Sequence, residues 1–337
     1  MMSSFSEYLS TVKPRVDSRI EEVARRKLRD ENLVRLLGRG KRLRAGLLLL
    51  VNEAMGGERN ACALDLACAI ELAHSASLII DDMLDEDESR RGLPTVHISE
   101  GQKRAMLDTV GILSLPYDLV VPFGERYVQS LADTQRGMVT GVLKEMLQTR
   151  PQLPASKLYD TIIIQKTGKP FGLAASWGCL SGTNGTRTPR PELVNEWRGF
   201  GIRVGKAMQI ADDIADLRCL LFGDKRSGFG SELLLFRCVT AESLARELFS
   251  DIRKLDLHIE KAKELWSGDG AQKSLARRLD QEILAAQKWI EGAGIEDSVI
   301  RELLLSVPRD VARMMMEEAA AARPNSPIES PIAVTSA

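Results

Sequence analysis

Two segments of the chain share one construction, an apolar or small-residue run that ends in Asp-Asp-x-x-Asp. The first is Ala76 to Ile80 followed by Asp81-Asp82-Met83-Leu84-Asp85; the second is Ala207 to Ala211 followed by Asp212-Asp213-Ile214-Ala215-Asp216. Residues four apart share a helical face, so Asp81 stands over Asp85 and Asp212 over Asp216. Like charges at that spacing cost about 0.2–0.5 kcal/mol per pair on an exposed helix. For residues 81–88, where six of eight are acids, a solvated charge run is the plain reading. A second acidic cluster after a second apolar run favours a different one. A hard divalent cation, Mg²⁺ with Mn²⁺ as a substitute, is held by oxygen ligands and commonly by a few carboxylates plus substrate phosphates.

The rest of the chain predicts helices. Ala, Leu, Glu, Arg and Lys dominate and aromatics are only 5%, so there is little material for strands. Helical segments are expected near 5–28, 41–55, 61–85, 104–113, 124–149, 156–182, 190–221, 240–267, 271–291 and 296–322. The β-branched run Thr161 to Ile164 is the best strand candidate, and its context favours a buried helix. Breaks fall at Gly56-Gly57, Gly92 to Pro94, Pro151 to Pro154, Gly182 to Pro191 and Gly223 to Gly230. None has the length of an interdomain linker. The expectation is an all-α fold with one domain over 1–322 and a disordered tail over 323–337.

Composition removes other classes. With 46 Lys and Arg against 47 Asp and Glu there is no basic field for nucleic acid. No uninterrupted apolar run approaches the ~18 residues of a membrane span, so none is expected. The N-terminus lacks a signal-type apolar stretch. Five cysteines without a CxxC pair argue against a disulfide framework and for a reducing cytoplasm. No GxxxxGK[ST] is present, and Gly199-x-Gly201-x-x-x-Gly205 misses the dinucleotide spacing.

Cations accompany the acids. Arg90-Arg91 follows the first cluster, Gly40-Lys41-Arg42-Leu43-Arg44 precedes an apolar helix, and Lys166-Thr167 lies between the two motifs. Each alone reads as solvated surface. Together with paired acids they suit a polyanion bridged by Mg²⁺, with forked arginine contacts to phosphate oxygens.

GKRLR, ELAHSASLIIDDMLDED, RRG, KTGKPFG and MQIADDIAD, in this order, resemble the trans-isoprenyl diphosphate synthases over roughly 35–220. The resemblance implies a single-domain, isoprenoid-synthase-type helical bundle around a deep central cavity, usually a homodimer. It implies head-to-tail condensation of isopentenyl diphosphate with an allylic diphosphate (dimethylallyl, geranyl or farnesyl) and release of pyrophosphate. By the same resemblance, Asp81 and Asp85 would bind the Mg²⁺ that grips the allylic diphosphate, with Asp82 supporting. Asp212 would be the main ligand of the second motif, with Asp213 and Asp216 behind it. Arg90 would contact the allylic diphosphate, and Arg91, Lys41, Arg44 and His74 the isopentenyl diphosphate. Lys166 would bind the leaving diphosphate, and Thr167 and Gln209 would line the path of the developing cation. The chain departs from the pattern at Ile80, at GILSLPYDLV with its Pro116, at GMVTGVLKEM and in the loop of Lys225 and Arg226.

Product length is expected to depend on the side chains four and five residues before Asp81, Ser77 and Ala76. Short-chain family members carry an aromatic there; here both are small. One helical turn, about 5.4 Å, is close to one extended isoprene unit. The commonest product of such chains, C20 geranylgeranyl diphosphate, is the expectation. The alternatives are a C25–C40 synthase, a class I terpene cyclase, and a non-catalytic regulatory subunit. A cyclase would have no use for Lys41, Arg44 and His74, and a regulatory subunit should have damaged aspartate motifs.

Overall fold

The computed structural model describes residues 2–58, 61–90, 92–146, 154–183, 189–222, 259–268 and 271–321, with Leu235 and Cys238 besides. The chain divides into two compact units. The first draws on Met1–Arg136, Pro170–Gly201 and Ile290–Val307; the second on Gly137–Lys169, Ile202–Trp289 and Pro308–Ala337.

The first unit begins with α1 (Phe5–Lys27), whose Phe5, Val12, Val16, Ile20 and Val23 recur at helical spacing and are buried. The Ser4 hydroxyl accepts the Glu7 N–H at 3.2 Å and caps it, and Arg25, Arg26 and Lys27 oppose the helix dipole at its far end. The short α2 (Glu31–Leu37) is capped by Asp30, which accepts from the N–H groups of Asn32 and Leu33. Then come α3 (Leu43–Ala54) and α4 (Ala61–Leu84). A two-residue antiparallel ribbon follows, β1 (Ser89–Arg90) with β2 (Leu93–Pro94), then α5 (Val96–Ser99), α6 (Gln102–Val120) and α7 (Glu125–Met146). α4 packs along α6 and against α3 and α1. Its buried alanines, Ala63, Ala67, Ala69, Ala73 and Ala76, keep those contacts close.

α6 runs seven residues past the expected end at 113, with Pro116 buried inside it. A proline there forfeits one helical hydrogen bond and often stops a helix. Ile112, Leu115, Leu119 and Val120 are buried on either side of it, so packing overrides the break.

The second unit contains α8 (Ala155–Ile163) and a π-helical turn over Ile164–Gly168. α9 (Lys169–Gly182) belongs to the first unit but for Lys169, α10 (Pro191–Phe222) and α13 (Ser298–Ala321) are divided between the units, and α11 (Ile259–Gly268) and most of α12 (Ala271–Gly292) belong to the second. Its core joins Ile162 and Ile163 of α8, Ile210 and Ile214 of α10, Trp266 of α11 and Leu279 of α12. Each such buried side chain contributes about 1.5–3 kcal/mol. The β-branched run at 161–164 is therefore helical, as its context suggests, and β1 and β2 are the strands among the described residues.

The expectation of no membrane-length apolar segment needs correction. Ala61–Leu84 and Gln102–Phe123 are long and apolar enough by length and composition, with mean hydropathies of 1.6 and 1.3. Counting unbroken apolar residues missed them because Asp65, Glu71, His74 and Ser75 interrupt the first and Asp108, Thr109 and Ser114 the second. The α4 window is 61% buried within the fold, as a core helix would be. α6 leaves Met106, Leu107 and Val110 exposed along one side.

The expected segment at 240–267 is described only from Ile259 on. Arg91, Lys225, Arg226 and the tail 323–337 lie outside the described residues.

Candidate active site

In the first unit the acids stand at the C-terminal end of α4, where the helix dipole is itself negative, so the place favours cations. The Asp85 N–H bonds to the Asp81 carbonyl at 2.9 Å, so the helical turn runs through the motif. Asp81 is half-buried, Asp85 exposed and Asp82 buried. Glu86 adopts a left-handed φ of 55° and turns the chain back, and the ribbon carries Arg90 over the helix end. There Arg90 Nε donates to Asp82 Oδ1, and Arg90 Nη2 lies 3.6 Å from Asp87. Burial pushes the Asp82 carboxyl above the usual carboxylate range, and Arg90 only partly offsets this.

One turn and two turns before Asp81 on the same face lie Ser77 and His74, both half-buried. The Ser77 hydroxyl donates to the His74 carbonyl at 2.8 Å. Ala76 points a different way and is fully buried. Lys41, before α3, is half-exposed. Arg44, in the first turn of α3, is 5% exposed, and its guanidinium lies over the Phe171 ring at 4.8 Å. Its Nε has no hydrogen-bond partner among the described residues. Burial lowers the Arg44 pKa to about 10, against the pull of the Glu71 and Asp81 carboxylates. A buried cation with an unfilled donor beside two acids is suited to receive a phosphate oxygen.

In the second unit Asp212 is half-buried, Asp213 buried and Asp216 exposed, the layout of the first motif repeated. Both oxygens of Asp213 are bonded: Tyr159 Oη donates to Oδ2 at 2.6 Å and Gln209 Nε2 to Oδ1 at 2.9 Å. Thr167 Oγ1 donates to Gln209 Oε1 at 2.5 Å. The carboxylate accepts only, so the amide must turn its N–H₂ to Asp213 and its oxygen to Thr167. Burial and the Asp213 charge hold the Tyr159 phenol well above its ordinary value. Thr167 lies in the π-helical turn, a form often found at functional sites. α10 approaches this turn closely at Gly205, where a Cβ would stand 2.8 Å from the Thr167 carbonyl oxygen. Lys166, in the same turn, pairs with Glu145 Oε2 at 2.9 Å.

Thus the first unit gathers Arg44, Asp81, Asp82 and Arg90, and the second gathers Thr167, Gln209 and Asp213. Glu71, Glu145, Tyr159 and Phe171 were not expected. Glu71 carried a signal, a lone acid inside the apolar run of α4; the other three carried none in their spacing.

Tyr159→Phe tests the buried chain. It keeps the ring and leaves Asp213 Oδ2 without its donor. Urea unfolding should show a loss of about 1–3 kcal/mol; an unchanged midpoint would mean the phenol does not support Asp213.

An all-α fold bearing two Asp-Asp-x-x-Asp helices, the first near the buried Arg44, is that of an isoprenoid-type helical synthase. Comparison with known proteins agrees. Residues 27–220 match the sequence model of the polyprenyl synthetase family. The geranylfarnesyl diphosphate synthase of Methanosarcina mazei is 32% identical over 225 residues, 67% of this chain and 74% of that one. The geranylgeranyl diphosphate synthase of Pseudescherichia vulneris is 27% identical over 271 residues, 77% and 84% of the two chains. A crystal structure of the Caulobacter crescentus polyprenyl synthase, complexed with calcium and isoprenyl diphosphate, superposes with a TM-score of 0.74 at 20% identity. It covers 93% of this chain and 98% of that one, a likeness of fold. The chain belongs to the polyprenyl synthetase family of trans-prenyltransferases. Further relatives bear the names farnesyl and nonaprenyl diphosphate synthase, so family membership leaves product length open.

Proposed function

We propose that the protein is a divalent-metal-dependent geranylgeranyl diphosphate synthase, acting over residues 1–322 as one catalytic domain. The carrying observation is the repeated layout of the two motifs, with the first acid half-buried, the second tied inward and the fifth exposed. In each motif the first and fifth acids are the less buried ones, which leaves their charge open to a cation.

The donor set fits Mg²⁺, with Mn²⁺ as a substitute. Among the described residues no group of three or more His, Cys, Asp or Glu is placed to hold a metal alone. The oxygen donors of the two motifs suit an ion bound by one or two carboxylates with water and substrate phosphates completing the octahedron. Asp81 and Asp85 would hold it at the first motif and Asp212 and Asp216 at the second, with Asp82 tied to Arg90 near the end of α4 and Asp213 tying α10 to Tyr159. When bound, the ion neutralises diphosphate oxygens and stabilises the leaving group.

The chain's own residues do the rest. Arg90 and Lys166 attract the allylic diphosphate as its carbon–oxygen bond breaks. Lys41, Arg44, His74 and Arg91 hold the isopentenyl diphosphate, whose double bond attacks the allylic carbon to form the new carbon–carbon bond. Thr167 has committed its proton to Gln209, so its oxygen presents lone pairs toward the developing cation. The proton then lost from the new chain passes to the released diphosphate, so no histidine base is needed. A second copy of the chain is proposed to cover the exposed α6 residues Met106, Leu107 and Val110. Five free cysteines accord with a cytoplasmic location.

The small side chain at Ser77 argues against a C15 stop on that face of α4, and C20 is the commonest product of such chains. The relative named for a C25 product is the observation that favours a longer chain.

Labelled isopentenyl diphosphate, supplied with dimethylallyl, geranyl or farnesyl diphosphate and Mg²⁺, should yield C20 on chromatography. EDTA should abolish the product and added Mg²⁺ restore it. Products of C25 and above would replace the length assignment, and no product from any starter would overturn the enzyme reading.

A further inference from the structure

Between the two cations assigned to isopentenyl diphosphate, Lys41 and Arg44, stands Arg42, to which no role has been given. It is among the most buried side chains of the protein, at 1% exposure. Arg42 Nε donates to Asp17 Oδ1 at 2.6 Å, and Nη2 donates to the Leu37 carbonyl at 2.6 Å. Nη1 lies 3.8 Å from Glu71 Oε2. The other oxygen of Glu71, Oε1, accepts the backbone N–H groups of Arg44 at 3.1 Å and Ala45 at 2.9 Å. Those are the second and third N–H groups of α3, which has no side-chain cap of its own. A carboxylate from α4 therefore supplies the cap, and the same carboxylate faces the Arg42 guanidinium.

The backbone here is unusual. Arg42 has φ 58° and ψ 35°, a left-handed conformation disfavoured for any residue with a Cβ. Such strain persists only where surrounding structure over-determines it, and it clusters at functional sites. Gly40 has φ 152°, and a Cβ there would stand 2.9 Å from Arg42 Nη1. The left-handed step turns Arg42 into the fold between α1, α2 and α4 and leaves Lys41 half-exposed. Glu71 meanwhile fixes the main chain of Arg44, whose Nε is unfilled.

We propose that Arg42, with Asp17 and Glu71, is a positioning residue for the isopentenyl diphosphate site: it touches no substrate and presets Lys41 and Arg44 for the diphosphate. The inference rests on the reading that Lys41 and Arg44 hold that substrate. A cation loop already fixed in the binding geometry gives up little conformational freedom on binding, which is where its contribution to affinity lies.

The test is steady-state kinetics on the full chain with each substrate varied in turn, together with thermal midpoints. Arg42→Lys keeps the charge and loses the fork that reaches three partners. It should raise the KM for isopentenyl diphosphate about tenfold, with kcat and the allylic KM within about twofold. Glu71→Gln keeps an oxygen for the two N–H groups and removes the charge facing Arg42. It should move the same KM in the same direction, about threefold, and serves if Arg42→Lys does not fold. An unchanged isopentenyl KM, or equal loss in both KM values and kcat with a lower thermal midpoint, would make Arg42 a purely structural residue and overturn the proposal. Lys41→Ala separates the two layers. If it raises the isopentenyl KM and the Arg42 and Glu71 variants do not, the positioning inference alone falls. If Lys41→Ala acts only on the allylic KM, the assignment of the loop falls and the inference with it.

Discussion

Asp81→Asn and Asp212→Asn are each expected to lower kcat/KM about a thousandfold, some 4 kcal/mol of transition-state stabilisation, with thermal midpoints little changed. Each acid is half-buried and opens the outward face of its motif. Replacing it by an amide of the same shape removes the charge that draws a divalent cation and leaves the packing intact. The neighbouring acids should behave in the opposite way. Asp82 is bonded to the half-exposed Arg90, and Asp213 to Tyr159 and Gln209 in buried surroundings. Asp213→Asn should therefore cost about 1–3 kcal/mol of stability in urea unfolding, because its new N–H₂ faces a donor, whereas Asp82→Asn removes a charge that burial disfavours and should cost less. Near-normal turnover in Asp81→Asn or Asp212→Asn would remove the metal reading of that motif.

Ser77→Phe is expected to shift the product from C20 toward C15 with kcat within about threefold of the original. Ser77 is half-buried and lies one turn before Asp81 on the same face of α4, so a ring added there sits about 5.4 Å from the motif along the helix. The phosphate-binding groups are untouched. Ala76→Phe is a different experiment from the one the sequence alone suggests. Ala76 is fully buried, so the ring must displace packed neighbours at a cost of about 1–3 kcal/mol. Its product is informative only if the thermal midpoint holds. An unchanged product from Ser77→Phe would mean that this face of α4 does not line the growing chain.

The long helices and the two acid motifs were legible because both rest on local periodicity, the spacing that puts Asp81 over Asp85 and buries Phe5, Val12 and Val16 together. What was missed depends on partners distant in sequence. Arg42 reads as surface by its chemistry and is buried because Asp17 and Glu71 meet it from two other helices. Tyr159 reads as an ordinary core aromatic until its hydroxyl is seen on Asp213, 54 residues away. α2 escaped notice because seven residues give too little periodicity, although Asp30-Glu31-Asn32 spelled its start. The extension of α6 through Pro116 could not be read because the packing that sustains it is tertiary.

The π-helical turn over Ile164–Gly168 has a consequence for how this stretch is compared between relatives. Tyr159 and Thr167 are eight residues apart, yet both reach α10, at Asp213 and Gln209. In an unbroken α-helix, side chains eight apart diverge by about 80°, whereas those seven apart differ by about 20°. The wide turn takes up one residue, so Thr167 stands where a seventh residue would. The segment is thus a seven-residue helical interval carrying one guest. A relative one residue shorter here would keep both hydrogen bonds to α10 and would need a gap in its alignment within the turn. A relative of equal length without the wide turn would keep the letters of the motif and lose one of the two bonds.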